Sequence, residues 1–261
     1  MVRLIVTGVA GKMGSVIMRL AQADPEVAVT GCTEIPGHPM AGKNVGEGTT
    51  ACPVTDELAK IIDMCDVVID FTGPESSLQN FRTAVEHAKG IVIGTTGLKA
   101  EALKEIMSAK DAKVVISPNM SVGMNLMFDI VEKVSRILKE DYDAEIVEMH
   151  HRLKKDAPSG TAVKLMEVIK GVQPEKEWLE IYGRKGITGE RKQDEIGVLA
   201  LRGGDVVGEH TVMFAGIGER LEITHRAYSR DNFAKGAVLA AKWLFQKTHG
   251  AYTMRDVLGL Q

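Results

Sequence analysis

The chain has only three cysteines, Cys32, Cys52 and Cys65, in 261 residues. They are too few and too unevenly spaced for a disulfide framework or a structural zinc site, so a reducing compartment and no metal are expected. Aromatic residues are 5% of the chain, and its 13 methionines are scattered through helix-patterned stretches, which makes them core filler rather than a binding surface. No apolar run approaches the roughly twenty residues that span a bilayer. Met1 leads straight into the strand-like run Val2–Thr7, without the basic, apolar and cleavage regions of an export signal. The expectation is a cytoplasmic protein without a membrane partner. An excess of positive charge is missing too: 32 Lys and Arg against 35 Asp and Glu give a formal net charge of −3. Nothing in that balance neutralises a phosphate backbone, so nucleic acid is not an expected partner.

What remains is a globular composition, 44% hydrophobic and 26% charged, with enough chain for one large domain or two ordinary ones. The first half alternates β-like and helix-like segments. Val2–Thr7 is followed by a helix from about Lys12 to Ala23, Val27–Cys32, a Pro/Gly-rich loop from Pro36 to Cys52, and a helix near Asp56–Ile62. Val67–Phe71, a helix over about Glu75–Lys89, Ile91–Gly94, a helix over Ala100–Lys110 and Val114–Ser117 continue the pattern. Short β-branched runs separated by helices predict an α/β fold with a doubly wound, Rossmann-like parallel sheet. The pattern changes near residue 121, which predicts a nucleotide domain over 1–121 and a second, α+β domain over 122–229. In the latter, a helix over Met124–Leu138 and a strand over Ala144–His151 precede strands at Ile196–Arg202, Asp205–Phe214 and Arg220–Ala227. Turns at Gly203-Gly204 and Gly216–Glu219 join these strands into a mixed or antiparallel sheet. Gln173–Lys192 carries no motif, and an amphipathic helix over about Asn232–Gln246 closes the pattern.

Two segments carry chemistry. Val2–Thr7 ends in Gly8-Val9-Ala10-Gly11-Lys12-Met13-Gly14, a glycine turn entering a helix, with Glu34 ending the next strand. Gly8 permits the tight turn, Gly11 lets a pyrophosphate approach the backbone, and Gly14 lets the helix pack on the sheet. Glu34 is placed for the adenine ribose hydroxyls. The spacing is one residue longer than G-x-G-x-x-G, and Met13 excludes a Walker A loop, which needs Ser or Thr there. Small residues also follow later strands, at Phe71-Thr72-Gly73 and Gly94-Thr95-Thr96-Gly97, where a cofactor crosses the sheet edge. The second segment, Glu148-Met-His-His-Arg-Leu-Lys-Lys-Asp-Ala-Pro-Ser-Gly-Thr-Ala162, places His150 and His151 at a strand end, Lys154 nearby and a helix start over Pro158–Thr161. Free N–H groups of a first helical turn beside basic side chains receive a carboxylate or phosphate. Glu148 and Asp156 either orient this basic cluster or lie solvated. Ser159 lacks the flanking glycines of a hydrolase elbow.

Both segments resemble the dihydrodipicolinate reductase family: the second as E-x-H-H-x-x-K-x-D-A-P-S-G-T-A, the first as its variant G-x-x-G-x-M-G. Resemblance continues through Ser117-Pro118-Asn119-Met120 and His210–Ala227 to about Leu244. It implies reduction of 4-hydroxy-tetrahydrodipicolinate to tetrahydrodipicolinate in lysine and diaminopimelate biosynthesis. His150 and Lys154 would then be catalytic and handle the proton, while His151, Gly160 and Thr161 bind substrate. Gly8–Met13, Glu34, Gly94–Thr96 and Ser117–Met120 would hold the coenzyme, with helices in 230–261 returning to the nucleotide domain. A homotetramer formed through the second domain's sheet is also implied. His210 and the Glu219–Arg226 stretch read as strand, with no catalytic part. Ile35 stands where many members have Arg, so NADH is favoured; Lys12 or His38 stays available to a 2′-phosphate, and NADPH is not excluded. Two other readings stand beside this one. A related reductase of another small acid would be separated by substrate profiling, and a non-catalytic dinucleotide sensor would bind coenzyme without turnover.

Overall fold

Strands buried on both faces read as unbroken apolar runs, and the first sheet is built from such runs. The computed structural model describes residues 1–46 and 51–260; part of the predicted Pro36–Cys52 loop, positions 47–50, lies outside them. The chain divides into two compact units, residues 1–122 with 230–261, and residues 123–229. No helix among the described residues is long and apolar enough to cross a membrane.

In chain order the elements are β1 (Val2–Thr7), α1 (Gly14–Gln22), β2 (Val27–Thr33), β3 (Asn44–Val45), β4 (Cys52–Thr55), β5 (Val67–Asp70), α2 (Pro74–Glu86), β6 (Gly90–Ile93), α3 (Ala100–Ser108) and β7 (Lys113–Ile116). Then come α4 (Val122–Leu138), β8 (Asp143–His150), α5 (Gly160–Val172), β9 (Leu179–Ile181), β10 (Glu195–Arg202), β11 (Gly208–Ala215), β12 (Arg220–Ala227), α6 (Asp231–Phe245), β13 (Gly250–Tyr252) and α7 (Met254–Val257). The predicted helix near Asp56–Ile62 is instead two single 3₁₀ turns, Leu58–Lys60 and Ile62–Met64. Its few apolar residues, Leu58, Ile61 and Ile62, reach the core from a short connector and need no regular helix.

The first unit holds an eight-stranded sheet in the order β13-β7-β6-β5-β1-β2-β4-β3, parallel except for the β3–β4 pair. From β1 the chain builds outward through β2 on one side and then through β5, β6 and β7 on the other. This topological switch point lies between β1 and β5, beside which ligands bind in doubly wound sheets. Ile17, Met18 and Ala21 of α1 and the alanine-rich face of α6 cover one side, while Phe81 and Ala84 of α2 and Ile106 of α3 lie in the core of the other. Gly236 brings α6 against the backbone of Met120: a Cβ there would stand 1.7 Å from the Met120 carbonyl oxygen. The returning segment also adds the edge strand β13, parallel to β7.

The second unit holds a five-stranded mixed sheet, β12-β11-β8-β10-β9. Alternate residues Ala144, Ile146, Val198, Val212 and Phe214 share a core with Leu165, Met166 and Ile169 of α5 and Met127 and Val131 of α4. The sheet is mixed, as expected, but the Gly203-Gly204 turn does not make β10 and β11 neighbours. β10 runs parallel to β8, β11 runs antiparallel to it, and β8 lies between them. The connection instead passes over the end of β8, where Gly203 N donates to His150 O (3.0 Å) and Arg152 N donates to Gly204 O (3.2 Å). Glu219 does close the β11–β12 hairpin, its O accepting from Gly216 N at 3.0 Å. The motif-free stretch 173–192 is tied down by charge. Arg184 binds Glu145 (3.0 Å) and Glu195 (2.9 Å), and Arg191 binds Asp143 (2.5 Å) and Glu145 (3.0 Å).

Candidate functional site

In the first unit, β1 delivers the chain into the glycine turn at the switch point. Gly8 adopts φ +62°, and Gly11 N donates to Gly8 O at 2.9 Å. Gly14 sits so close to this turn that a Cβ would lie 2.1 Å from Gly8 O, so α1 starts here only with glycine. Val9 is buried and its N donates to Thr33 O (3.2 Å), whereas Ala10, Gly11 and Lys12 are exposed and Met13 is half-buried. The Glu34 carboxylate accepts from Ala10 N at 2.6 Å and from Ile35 N at 3.2 Å. An exposed, glycine-shaped turn whose amide holds an anionic oxygen is a cradle that fits the pyrophosphate and ribose of a dinucleotide.

The loops after β5 and β6 are joined by Asp70, which sequence reasoning did not single out. Its fully buried carboxylate accepts from Thr72 N (3.1 Å), Asn80 Nδ2 (2.5 Å) and Thr95 Oγ1 (3.1 Å), and Ser77 Oγ lies 2.5 Å away. Thr95 is thereby turned inward, leaving Thr96 exposed. Gly94 lies under the Phe71 ring, where a Cβ would be 2.2 Å from the ring edge. A cavity of about 550 Å³ opens beside these loops, lined by Gly73, Pro74, Leu78, Gly97 and Leu98 among others. In the loop after β7, Ser117 Oγ donates to Asn119 O (2.8 Å) and Asn119 Oδ1 accepts from Ser121 N (2.9 Å); Pro118 is exposed and Met120 buried.

In the second unit the basic segment is built around one carboxylate. β8 alternation places Glu148 and His150 on the face that carries Ala144 and Ile146. Glu148 is fully buried and accepts four hydrogen bonds' worth of donors: His150 Nδ1 lies 2.5 Å from Oε2, Arg202 Nη1 and Nη2 donate at 2.8 and 2.9 Å, and Ser159 N donates at 3.0 Å. Burial pushes the Glu148 carboxyl up, but the bonds from His150, Arg202 and Ser159 outweigh it and hold it down at about 2. It is therefore ionised. Arg202 ends β10 opposite His150 in register, and also donates to Asp156 O at 2.7 Å. Ser159 caps α5 by accepting from Ala162 N at 3.2 Å. Gly160 and Thr161 begin that helix, the former exposed and the latter half-buried.

His210, on β11, is 4% exposed. Its Nε2 lies 3.1 Å from Ser159 Oγ, and its ring meets that of His150 edge-on at 5.2 Å. Burial above all, then neighbouring His150, pushes the imidazolium down to about 3, so His210 is neutral. The sequence reading gave it only a place in a strand; its inward position alternates with Val212 and Phe214, and that pattern was the available signal. Arg202 had none, since 54 residues separate it from Glu148. His151 follows β8 with its Nδ1 buried and unpartnered. Lys154, with 20% of its side chain exposed, pairs with Asp156 at 2.9 Å, while Lys154 N donates to His151 O at 3.1 Å. The structure thus gathers His150, Lys154's turn and the start of α5 in one unit, and the glycine turn, Glu34 and the β5, β6 and β7 loops in the other.

A switch-point glycine cradle, together with a separate unit that gathers imidazoles, an ammonium and a helix start, defines a Rossmann-type, dinucleotide-dependent oxidoreductase. Residues 2–120 match the N-terminal part of dihydrodipicolinate reductase and residues 123–258 its C-terminal part. The chain is 49% identical to 4-hydroxy-tetrahydrodipicolinate reductase of Geobacter sp. (strain M21) and 48% identical to that of Syntrophus aciditrophicus (strain SB), covering 100% of each pair. Among solved structures, the dipicolinate-bound dihydrodipicolinate reductase of Paenisporosarcina sp. TG-14 shares the fold with a TM-score of 0.78, at 23% identity and 98% coverage of both chains. The chain belongs to the dihydrodipicolinate reductase family.

Proposed function

We propose that this chain reduces 4-hydroxy-tetrahydrodipicolinate to tetrahydrodipicolinate, the step that the names of its full-length relatives describe, within lysine and diaminopimelate biosynthesis. The observation that carries the reading is that ionised Glu148 anchors both His150 and Ser159 at the start of α5, with Lys154 on the short segment between them. The conversion takes up one hydride and one proton and releases one water. A bound nicotinamide coenzyme supplies the hydride. His150 handles the proton and Lys154 is the second acid–base group, also countering substrate charge. His151, the Gly160 and Thr161 N–H groups and the Thr161 hydroxyl hold the substrate carboxylates. On the coenzyme side, Gly8–Met13 cradle the pyrophosphate and Glu34 accepts from the ribose hydroxyls. Gly94, Thr95, Thr96 and Ser117–Met120 line the nicotinamide side, Thr95 through its backbone because its hydroxyl is engaged with Asp70.

NADH is the favoured coenzyme. Ile35, 66% exposed, places no cation next to Glu34 for a 2′-phosphate, and NADPH is accepted more weakly. The unbridged thiols Cys32, Cys52 and Cys65 suit a cytoplasmic enzyme. The assembly is a homotetramer formed through the face of the second unit's sheet that carries no helix.

The test is oxidation of NADH and, separately, NADPH with freshly generated 4-hydroxy-tetrahydrodipicolinate, in the native chain and His150→Gln. We expect a lower KM for NADH and a turnover loss in the variant of roughly a hundred- to ten-thousand-fold, the size of a lost general acid. Equal or reversed coenzyme constants would overturn the NADH preference. Coenzyme binding without turnover in the native chain would favour the sensor.

A further inference from the structure

We propose that Glu148 is the positioning residue of this site, and that its one buried carboxylate fixes both the tautomer of His150 and the start of the substrate-receiving helix. The proposal rests on the reading of His150 as the proton-handling group.

Glu148 is an ionised carboxylate, so each of its two oxygens can only accept. The His150 nitrogen facing it at 2.5 Å is Nδ1, which must therefore carry hydrogen in the neutral as well as the charged ring. The exchanging position is left to Nε2. Space beside Nε2 is kept open by Gly208, where a Cβ would lie 3.0 Å from that nitrogen. The other carboxylate oxygen takes Ser159 N, and Ser159 is the residue whose hydroxyl caps α5. One rigid group thus sets the distance between the proton-handling nitrogen and the N–H groups of Gly160 and Thr161. Arg202 holds the carboxylate from behind with a two-pronged bond, which fixes its plane. His210, neutral and packed edge-on against His150, fills the remaining side without competing for the Glu148 charge.

Replacing the carboxylate with an amide reverses the contact to His150 and removes the bond from Arg202 Nη1, which shares that oxygen. In Glu148→Gln a single oxygen can still accept from Ser159 N and Arg202 Nη2. The amide nitrogen then faces His150 Nδ1 and donates to it, which drives the ring hydrogen to Nε2. A merely structural ion pair would lose stability on this change without moving the tautomer.

The deciding experiment is nitrogen NMR of the full-length chain labelled at histidine, above the ordinary histidine range near about 6.5, with His150 assigned through His150→Gln. We expect neutral His150 protonated at Nδ1 in the native chain and at Nε2 in Glu148→Gln. In kinetics, kcat of Glu148→Gln should fall at least about a hundredfold, with NADH affinity within about twofold because Glu148 lies outside the coenzyme unit. Glu148→Asp, which keeps the charge, should recover part of kcat. An Nε2-protonated native ring, or a Glu148→Gln chain with native tautomer and kcat, would overturn the proposal. The native spectrum decides the matter even where the variant does not fold. Unchanged turnover in His150→Gln would instead refute the functional reading, and the tautomer would still report whether Glu148 holds the ring.

Discussion

The His150 ring is held on one edge by Glu148 at 2.5 Å and faces Gly208 on the other. Gly208 is a buried strand residue without a positive φ, so its backbone tolerates alanine and the strand itself gains from one. The added methyl, however, would stand 3.0 Å from His150 Nε2, closer than carbon and nitrogen normally pack. His150 cannot back away without stretching its bond to Glu148 or pressing on His210. Gly208→Ala should therefore fold normally, leave NADH affinity unchanged and lose about 10- to 100-fold in kcat, the scale of an ångström-sized misplacement in a catalytic group. Steady-state kinetics beside a thermal melt check this; a variant with native kcat would show that the space beside Nε2 is not used.

At the scale of elements, the inward face where β8 meets β11 carries charge-sensitive residues in an otherwise apolar layer, and this makes the second unit acid-sensitive. His210 is held down at about 3, chiefly by burial, against an ordinary 6.5. Between those values the unfolded chain binds a proton that the folded chain refuses, so stability rises with pH across that window. It is fully present above 6.5 and is lost as pH falls toward 3. Glu148, held at about 2 against an ordinary 4.5, adds stability above 4.5 that fades as pH falls toward 2. His225, opposite His210 in register, is also pushed down by burial and acts in the same direction as His210. Urea unfolding should show the native chain losing at most about 2 kcal/mol on His210's account between about pH 6.5 and about pH 5. In His210→Gln that part of the slope should vanish; an identical slope in both chains would remove His210 as its source. The same elements show what a sequence can reveal. Strand-to-helix alternation, the glycine turn and the start of α5 are local patterns, and they were legible from spacing and turn residues. The Gly203-Gly204 connection was not, because a turn shows where the chain bends but not which strand it bends around, and here β8 intervenes. Arg184, Arg191 and Arg202 look like ordinary surface cations in sequence; their roles come from carboxylates brought beside them by sheet register. Asp70 was missed for a similar reason, its donors being spread over two loops and helix α2.

For the whole molecule, the question is what covers the second face of the five-stranded sheet. The face that packs on α4 and α5 carries Ile146, Val198 and Val212. Their alternates Val147, Leu199 and Thr211 sit side by side in register on the opposite face, with Met149 paired to Leu201 one step along and Met213 nearby. Val147, Met149, Leu199 and Met213 are only partly buried in the single chain, and Leu201 is 50% exposed. An apolar patch of this kind, bordered on the same face by Glu145 and Glu209, is what an isologous contact between copies buries, and stacking two such sheets is the contact expected of the proposed tetramer. Leu199 lies in this patch, directly beside Val147 on the central strand β8. Leu199→Glu places a carboxylate there that stays solvated in a lone chain but would be buried without a partner in the assembly, at a cost of several kcal/mol per site. Light scattering should give four chains for the native protein and fewer for Leu199→Glu, with circular dichroism unchanged because neither unit's core contains this side chain. A native protein that scatters as a monomer at working concentration would dispose of the tetramer. A Leu199→Glu chain that remains tetrameric would move the contact to another face of the molecule.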